Sequence, residues 1–342
     1  MSMSRMTTPT PNPKTEICDA IHARRRFLIT SHARPDGDSI GSQLAMAYAL
    51  EALGKNVRLV NADPAPEHYL DFPGVDRIEV ARSVIDSDAE ALIVMESGDL
   101  ARTGVSGLEG RFTINIDHHQ GNSRYGSLNW IDESAAACGE MVFDLIEVLG
   151  VPLTIEIATH VYLAILTDTG SFHYSNITPK TFDICRRTVE AGVNPAAMAR
   201  RVFDNNSFGK LKLIGALLDE MDLLDGGRLA AMYLNDDILN ATSTTYNDTE
   251  GLINLPLTAR EIQAVVFFKV GADGDIHVSM RSKYDVDIRL VAVRHGGGGH
   301  RNAAGFKVRG PLNAVRDGIL KEIAEAIATG VQTRPAWTAP SS

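Results

Sequence analysis

The residues of this chain that could do chemistry are imidazoles and carboxylates grouped at four places. Asp117-His118-His119 closes the apolar stretch 111–116, and His32, Asp36 and Asp38 share one short loop after residues 27–30. Glu96 follows residues 91–95, and Asp168 ends the apolar run 161–166. Hard divalent cations such as Mn2+ and Mg2+ take carboxylates, water and some imidazole, whereas structural zinc prefers thiolates. Two such clusters in one chain suggest a two-metal hydrolase. These groups need a frame that brings strand ends together, and open α/β sheets build their sites at the carboxyl ends of strands.

The first half supplies such a frame. Residues 27–30, 57–61, 91–95 and 112–116 read as short buried strands, with amphipathic helices between or after them. Ile40, Leu44, Ala47 and Leu50 form an apolar face at near-helical spacing, and Gly54 stands where a left-handed residue would end that helix. Further helices are expected at 134–149 and 154–167, and Thr178-Pro179 and Asn194-Pro195 each read as an N-cap followed by proline. The alternation implies an α/β fold with a doubly wound, mostly parallel sheet.

The second half reads as a smaller mixed α/β domain. Residues 228–234 form a strand, and 262–270 pairs with 276–281 as a hairpin across Gly271-Ala272-Asp273-Gly274-Asp275. A helix at 287–293 leads into Gly296-Gly297-Gly298-Gly299-His300-Arg301-Asn302, whose consecutive N–H groups could cradle an anion. The expected organisation is a disordered tail at 1–14, a metal-binding domain at 15–195, a helical linker region at 196–224, a substrate-binding domain at 225–332 and a second tail at 333–342.

Composition limits the partners. The net charge of −10 argues against a broad surface for long nucleic acid, which is usually held by excess Lys and Arg, so a nucleic-acid substrate should be short. Cys18, Cys138 and Cys185 form no CxxC pair, which fits a reducing compartment and makes the cytoplasm the default location. No apolar run approaches the roughly 18 residues of a membrane span, so no membrane partner is expected. The oligomeric state stays open between monomer and homodimer.

The segments His32-Ala33-Arg34-Pro35-Asp36-Gly37-Asp38, Asp117-His118-His119, Leu166-Thr167-Asp168-Thr169-Gly170-Ser171-Phe172 and Gly296 to Phe306 occur in an order that resembles the DHH/DHHA1 phosphoesterases, in particular their nanoRNase and pAp-phosphatase branch. The likeness covers nearly the whole chain outside the tails. It implies two divalent cations, Mn2+ favoured over Mg2+, with His32 and Asp36 on one ion, Asp38, His118 and Asp168 on the other, and Glu96 between them. Hydroxide attack on phosphorus would follow, with His119 on the substrate phosphate and Asp117 supporting a neighbouring ligand. Adjacent residues at a strand end point different ways, which suits separate duties for His118 and His119. Arg281, Gly298, Gly299, His300, Arg301 and Asn302 would bind substrate.

The chain departs from the family at Glu96, where Asp is usual; the extra methylene lengthens the carboxylate by about 1.5 Å. The activity implied is cleavage of very short oligoribonucleotides to mononucleotides and removal of the 3′-phosphate of adenosine 3′,5′-bisphosphate. The alternatives are hydrolysis of cyclic dinucleotides or their linear products and, in another class, a non-catalytic nucleotide-binding regulatory module. A RecJ-like exonuclease fits less well for want of a further strand-binding domain, and a family II pyrophosphatase lacks this glycine motif. Among neighbouring residues, Asp99 is expected to cap a turn and Cys138 to pack as a small buried residue. Asn122 and Ser123 could touch substrate or merely line a loop, and Phe172, His173 and Tyr174 could stack on a base or pack in the core.

Overall fold

The computed structural model describes residues 12–85, 87–174, 176–271 and 274–330, the side chain of His300 excepted. It falls into two compact units, Met1–Asn205 and Asn206–Ser342. Helix α1 (Pro13–His22) is capped by Asn12, so the chain is already helical inside the stretch expected to be a tail. The rest of that stretch, and residues 333–342, lie outside the described residues.

The first unit continues with β1 (Arg26–Thr30), α2 (Gly37–Ala52), β2 (Asn56–Asn61), β3 (Glu79–Val80), β4 (Ala91–Met95), β5 (Thr113–Asp117) and β6 (Leu128–Ile131), then α3 (Cys138–Val148), α4 (Ile155–Asp168), α5 (Pro179–Glu190) and α6 (Pro195–Phe203). The strands form one sheet in the order β3-β2-β1-β4-β5-β6, every pairing parallel. β4 and β5 are buried throughout, as strands covered on both faces must be, which is why they read as unbroken apolar runs. β3 and β6 carry no such run: β3 is two exposed residues and β6 is interrupted by Asn129.

Helix α2 packs so closely on α4 that a Cβ on Gly41 would lie 2.5 Å from the His160 carbonyl oxygen. α2 is followed by Leu53 at its C-cap and then by Gly54 at φ 72°. α3 begins at Cys138 rather than near Ser134, because residues 132–137 form a turn stitched by Asp132 to Ser134 and Ala135. Asp168 is the last residue of α4 and not a strand end; the apolar run before it is a stretch of helix buried on every side. The strand order reverses at β1, whose neighbours are β2 and β4, so the crevice beyond the carboxyl ends of β1 and β4 is the topological switch point.

The second unit comprises α7 (Phe208–Asp219), β7 (Asp222–Leu224), β8 (Leu229–Leu234), α8 (Asp236–Thr242), β9 (Ala264–Val270), β10 (Asp275–Ser282), α9 (Arg289–Arg294), β11 (Gly298–His300), β12 (Ala303–Arg309) and α10 (Leu312–Thr329). Its sheet runs β11-β12-β10-β9-β8-β7, antiparallel except between β8 and β9. Val266 and Phe268 face one core cluster with Ile319 and Ile323, while Val265 and Phe267 face another with Leu213 and Leu217, as strand alternation requires. The region 196–224 is therefore not a single linker: α6 belongs to the first unit, α7 to the second, and β7 is an edge strand. The β9–β10 hairpin closes through the Gly271 N–H on the Asp275 carbonyl at 2.8 Å, with Ala272 and Asp273 outside the described residues. No helix among the described residues is long and apolar enough to cross a membrane.

Candidate active site

The loop from β1 to α2 places His32, Asp36 and Asp38. Asp36 is the N-cap of α2: its Oδ1 accepts from the Ser39 N–H (2.9 Å) and hydroxyl (2.7 Å). Its Oδ2 lies 3.6 Å from His32 Nε2, which is also 2.9 Å from Ser39 Oγ. Asp38, in the first turn, is fully buried; Oδ1 accepts from Ser42 Oγ (2.7 Å) and the Gly139 N–H (3.0 Å), and Oδ2 from the Cys138 N–H (2.6 Å).

From the end of β4, Glu96 turns inward with φ 58°, a left-handed conformation unusual for a residue with a side chain. Its carboxylate is buried; Oε1 lies 3.3 Å from His118 Nε2, Oε2 lies 3.7 Å from His119 Nδ1, and Oε1 has no hydrogen-bond partner. Both imidazoles therefore reach the same carboxylate, against the expectation that they diverge. The reason is that β5 ends at Asp117, so strand alternation no longer governs the two histidines. Asp168 approaches from α4, with Oδ2 3.6 Å from His118 Nε2, and Asp38 Oδ2 lies 3.9 Å from the same nitrogen.

Each histidine has an acceptor at Nδ1: the Ala33 carbonyl for His32 (2.9 Å), the Ala135 carbonyl for His118 (3.0 Å) and Asp117 Oδ1 for His119 (2.8 Å). With Nδ1 donating, Nε2 is left as the basic nitrogen, which is how ligating histidines are oriented. Asp117 is buried and accepts from Asn122 Nδ2 (2.6 Å) through its other oxygen, so it steers His119.

The electrostatics follow from the crowding of carboxylates. Burial raises the Glu96 carboxyl well above its ordinary range, and Asp38, Asp36 and Asp168 push it the same way. Asp168 is pushed up to about 7 by burial and by Asp38, against the pull of His118. Asp38 is raised by burial, partly offset by His118. Burial opposes charge on His118, but Asp38, the Ala135 carbonyl and Asp168 outweigh it and hold the imidazole more basic than usual. The protein around Asp36 opposes its charge, yet His32 and Ser39 hold its carboxyl well below the carboxylate range.

Concentrated negative charge around an orphaned buried oxygen fits a cation. Ligand atoms of Asp38, His118 and Asp168 lie within 4.8 Å of one another, as do those of Glu96, His118 and His119. The donor set of carboxylate and imidazole suits Mn2+ or Mg2+.

The second unit treats the expected substrate residues differently. The Gly296 and Gly297 N–H groups are spent on the Val293 and Ala292 carbonyls, closing α9, so half of the proposed anion cradle is a helix end. Gly298, Gly299 and His300 form β11, registered against Gly305, Ala304 and Ala303. Asn302 donates to Ser282 Oγ (2.8 Å) and to the carbonyls of Tyr284 (3.1 Å) and Val286 (3.2 Å), which makes it a brace for the turn after β10 rather than an open contact. Arg301 pairs with Asp285 at 3.1 Å, and Arg281 lies on β10 opposite Ala303. The His300 side chain lies outside the described residues.

Several supports were not singled out in the sequence: Ser39, Ser42 and the segment 135–139 that enters α3. The i, i+4 spacing of Asp38 and Ser42 was a usable signal. The segment was not, since it acts through backbone atoms about a hundred positions from Asp38. Asp99 caps the turn at Leu100–Thr103 as expected, and Cys138 is buried with its thiol pushed up by burial and then by Glu96. Phe172 stacks on Phe182 (centroids 5.7 Å apart, 19°) and packs on the core.

The profile described as DHH family, N-terminal domain, matches residues 26–165, and the DHHA1 domain profile matches residues 228–329. The bifunctional oligoribonuclease and PAP phosphatase NrnA of Thermus thermophilus is 35% identical over 303 residues, covering 88% of this chain and 90% of that protein. The Bacillus subtilis protein of the same name is 28% identical over 302 residues, covering 86% of this chain and 93% of its own. Among solved structures, an exopolyphosphatase-related protein from Bacteroides fragilis shares the fold with a TM-score of 0.85 at 22% identity, covering 94% of this chain and 98% of that one. Both domain matches, in this order along the chain, and a 35% identical relative over most of its length make this chain a member of the DHH/DHHA1 phosphoesterases, similar to their oligoribonuclease and PAP-phosphatase branch.

Proposed function

We propose that the chain is a Mn2+-dependent phosphoesterase that cleaves very short oligoribonucleotides to mononucleotides and removes the 3′-phosphate of adenosine 3′,5′-bisphosphate. The observation that carries the reading is the buried Glu96 carboxylate, with Oε1 unpartnered, facing His118 and His119 while Asp38 and Asp168 converge on His118. In this reading His32 and Asp36 would hold one cation, Asp38, His118 and Asp168 would hold the other, and Glu96 would serve both. Such a pair supplies a nucleophile at neutral pH and neutralises charge on the phosphoryl oxygens.

The chain's own residues do the rest. His119, fixed at Nδ1 by Asp117, presents Nε2 to the phosphate and, as the imidazolium with both nitrogens protonated, can hand its Nε2 proton to the leaving oxygen. Asn122 anchors Asp117 and so the imidazole behind it. Arg281 and the Gly298 backbone remain the proposed substrate contacts of the second unit. The substrate class rests on the named activity of relatives that match nearly the whole chain, and on a net charge of −10 that disfavours long polymers. A panel under Mn2+ of adenosine 3′,5′-bisphosphate, RNA two-mers to five-mers and cyclic dinucleotides tests it. The bisphosphate and the shortest RNAs are expected to turn over fastest; preferential hydrolysis of the cyclic dinucleotides would replace this reading with the cyclic-dinucleotide one.

A further inference from the structure

Arg102 stands on the short turn Leu100–Thr103 beside the site. The turn is held from several sides. Asp99 Oδ1 accepts from the Ala101 N–H (2.9 Å), Gly104 leaves the turn at φ 68°, and the Arg102 carbonyl accepts from the Ala33 N–H (2.8 Å), next to His32. The Arg102 side chain is exposed and, among the described residues, has neither an ion pair nor a hydrogen bond.

Arg102 does not lack carboxylates nearby; those nearby are already engaged. Asp99 accepts from the Ala101 N–H and from Ser123 Oγ, and Asp117 from His119 and Asn122. Gly98 leaves the intervening space open: a Cβ there would lie 3.7 Å from Arg102 Nη1, 3.8 Å from Asn122 Cα and 3.9 Å from Asp117 Oδ2. An anionic substrate approaching Asp36, Asp38, Glu96, Asp117 and Asp168 meets like charge, and a planar guanidinium with free N–H donors is suited to offset it by gripping phosphoryl oxygens.

We propose that Arg102 is a substrate-binding residue that donates hydrogen bonds to the phosphoryl oxygens of the bound ester. The inference rests on the phosphoesterase reading above. The test compares wild type, Arg102→Ala and Arg102→Lys, with Arg58→Gln as a control of equal charge change at a surface ion pair. Three quantities are measured: Mn2+ affinity by calorimetry, affinity of the Mn2+-loaded protein for inorganic phosphate, and KM and kcat on adenosine 3′,5′-bisphosphate. Arg102→Ala is expected to weaken phosphate binding and raise KM by roughly 10- to 100-fold, with Lys recovering part of the loss. Mn2+ affinity and the Arg58→Gln control should match wild type. Unchanged phosphate affinity and KM in Arg102→Ala, an equal loss in Arg58→Gln, or a parallel loss of Mn2+ affinity would each overturn the proposal. If wild type fails to hydrolyse the bisphosphate, the functional reading falls, while the phosphate titration still decides the role of Arg102.

Discussion

Glu96 concentrates the cost of this site in one residue. A left-handed backbone on a residue with a side chain costs on the order of 1–3 kcal/mol, and the same residue buries a carboxylate among others. Such an arrangement calls for compensation, and the cations proposed for this site would supply it. The positive φ also bears on the extra methylene relative to Asp, since it sets where the longer side chain starts. Glu96→Asp should therefore keep or raise activity and bind Mn2+ with similar affinity, whereas Glu96→Ala should lose roughly 10- to 100-fold in Mn2+ affinity, both read by calorimetry. An unchanged affinity in Glu96→Ala would take the residue out of the site. The ligand-type residues themselves were legible from sequence, because carboxylate and imidazole at strand ends leave few alternatives. Their orientation was not: the Ala135 carbonyl that fixes His118 lies 17 positions away, and only the fold brings it there.

At the level of elements, the strands of the parallel sheet were legible because covered strands are continuous apolar runs, while β3 and β6 carry no such signal. Asp168 was legible as the end of the helix expected at 154–167, and its preceding run is apolar because that stretch of α4 is buried on every side. The glycine run was legible as a motif but not as a set of separate duties. A Cβ on Gly297 would lie 2.2 Å from the Gly305 carbonyl oxygen and 2.5 Å from Phe306 Cβ, whereas one on Gly298 would meet nothing within 4 Å. Gly297→Ala should thus destabilise the second unit by about 1–3 kcal/mol in chemical denaturation, while Gly298→Ala should leave stability nearly unchanged. Equal effects of the two variants would contradict the β11–β12 packing described here.

For the whole molecule, stability depends on pH partly through a group remote from the ligands. His160 is wholly buried on α4, with Nδ1 2.7 Å from the Glu156 carbonyl oxygen and its ring 5.6 Å from that of Tyr48. Burial, aided by Arg77 and opposed by the Glu156 and Pro73 carbonyls, lowers its pKa to about 4. The folded protein therefore binds this proton less readily than the unfolded chain. The stability involved is fully present above the unfolded value of about 6.5 and is lost as pH falls toward 4, to about 2 kcal/mol by pH 5. The urea-derived stability of wild type should accordingly fall more between pH 7.5 and 5 than that of His160→Gln, by about that amount. Parallel pH profiles would place the ionisation elsewhere.

In the proposed function, the carboxylate and imidazole cluster hydrolyses phosphate esters with the help of bound divalent cations. That chemistry is tested most directly by incubating the protein with a labelled RNA dinucleotide in Mn2+ and measuring mononucleotide release before and after chelation, beside Asp168→Asn. Wild type should release mononucleotide, stop on chelation and resume when Mn2+ is restored, while the variant should release none. Release that persists in the chelator, or no release from a protein that demonstrably binds Mn2+ and the dinucleotide, would contradict that chemistry.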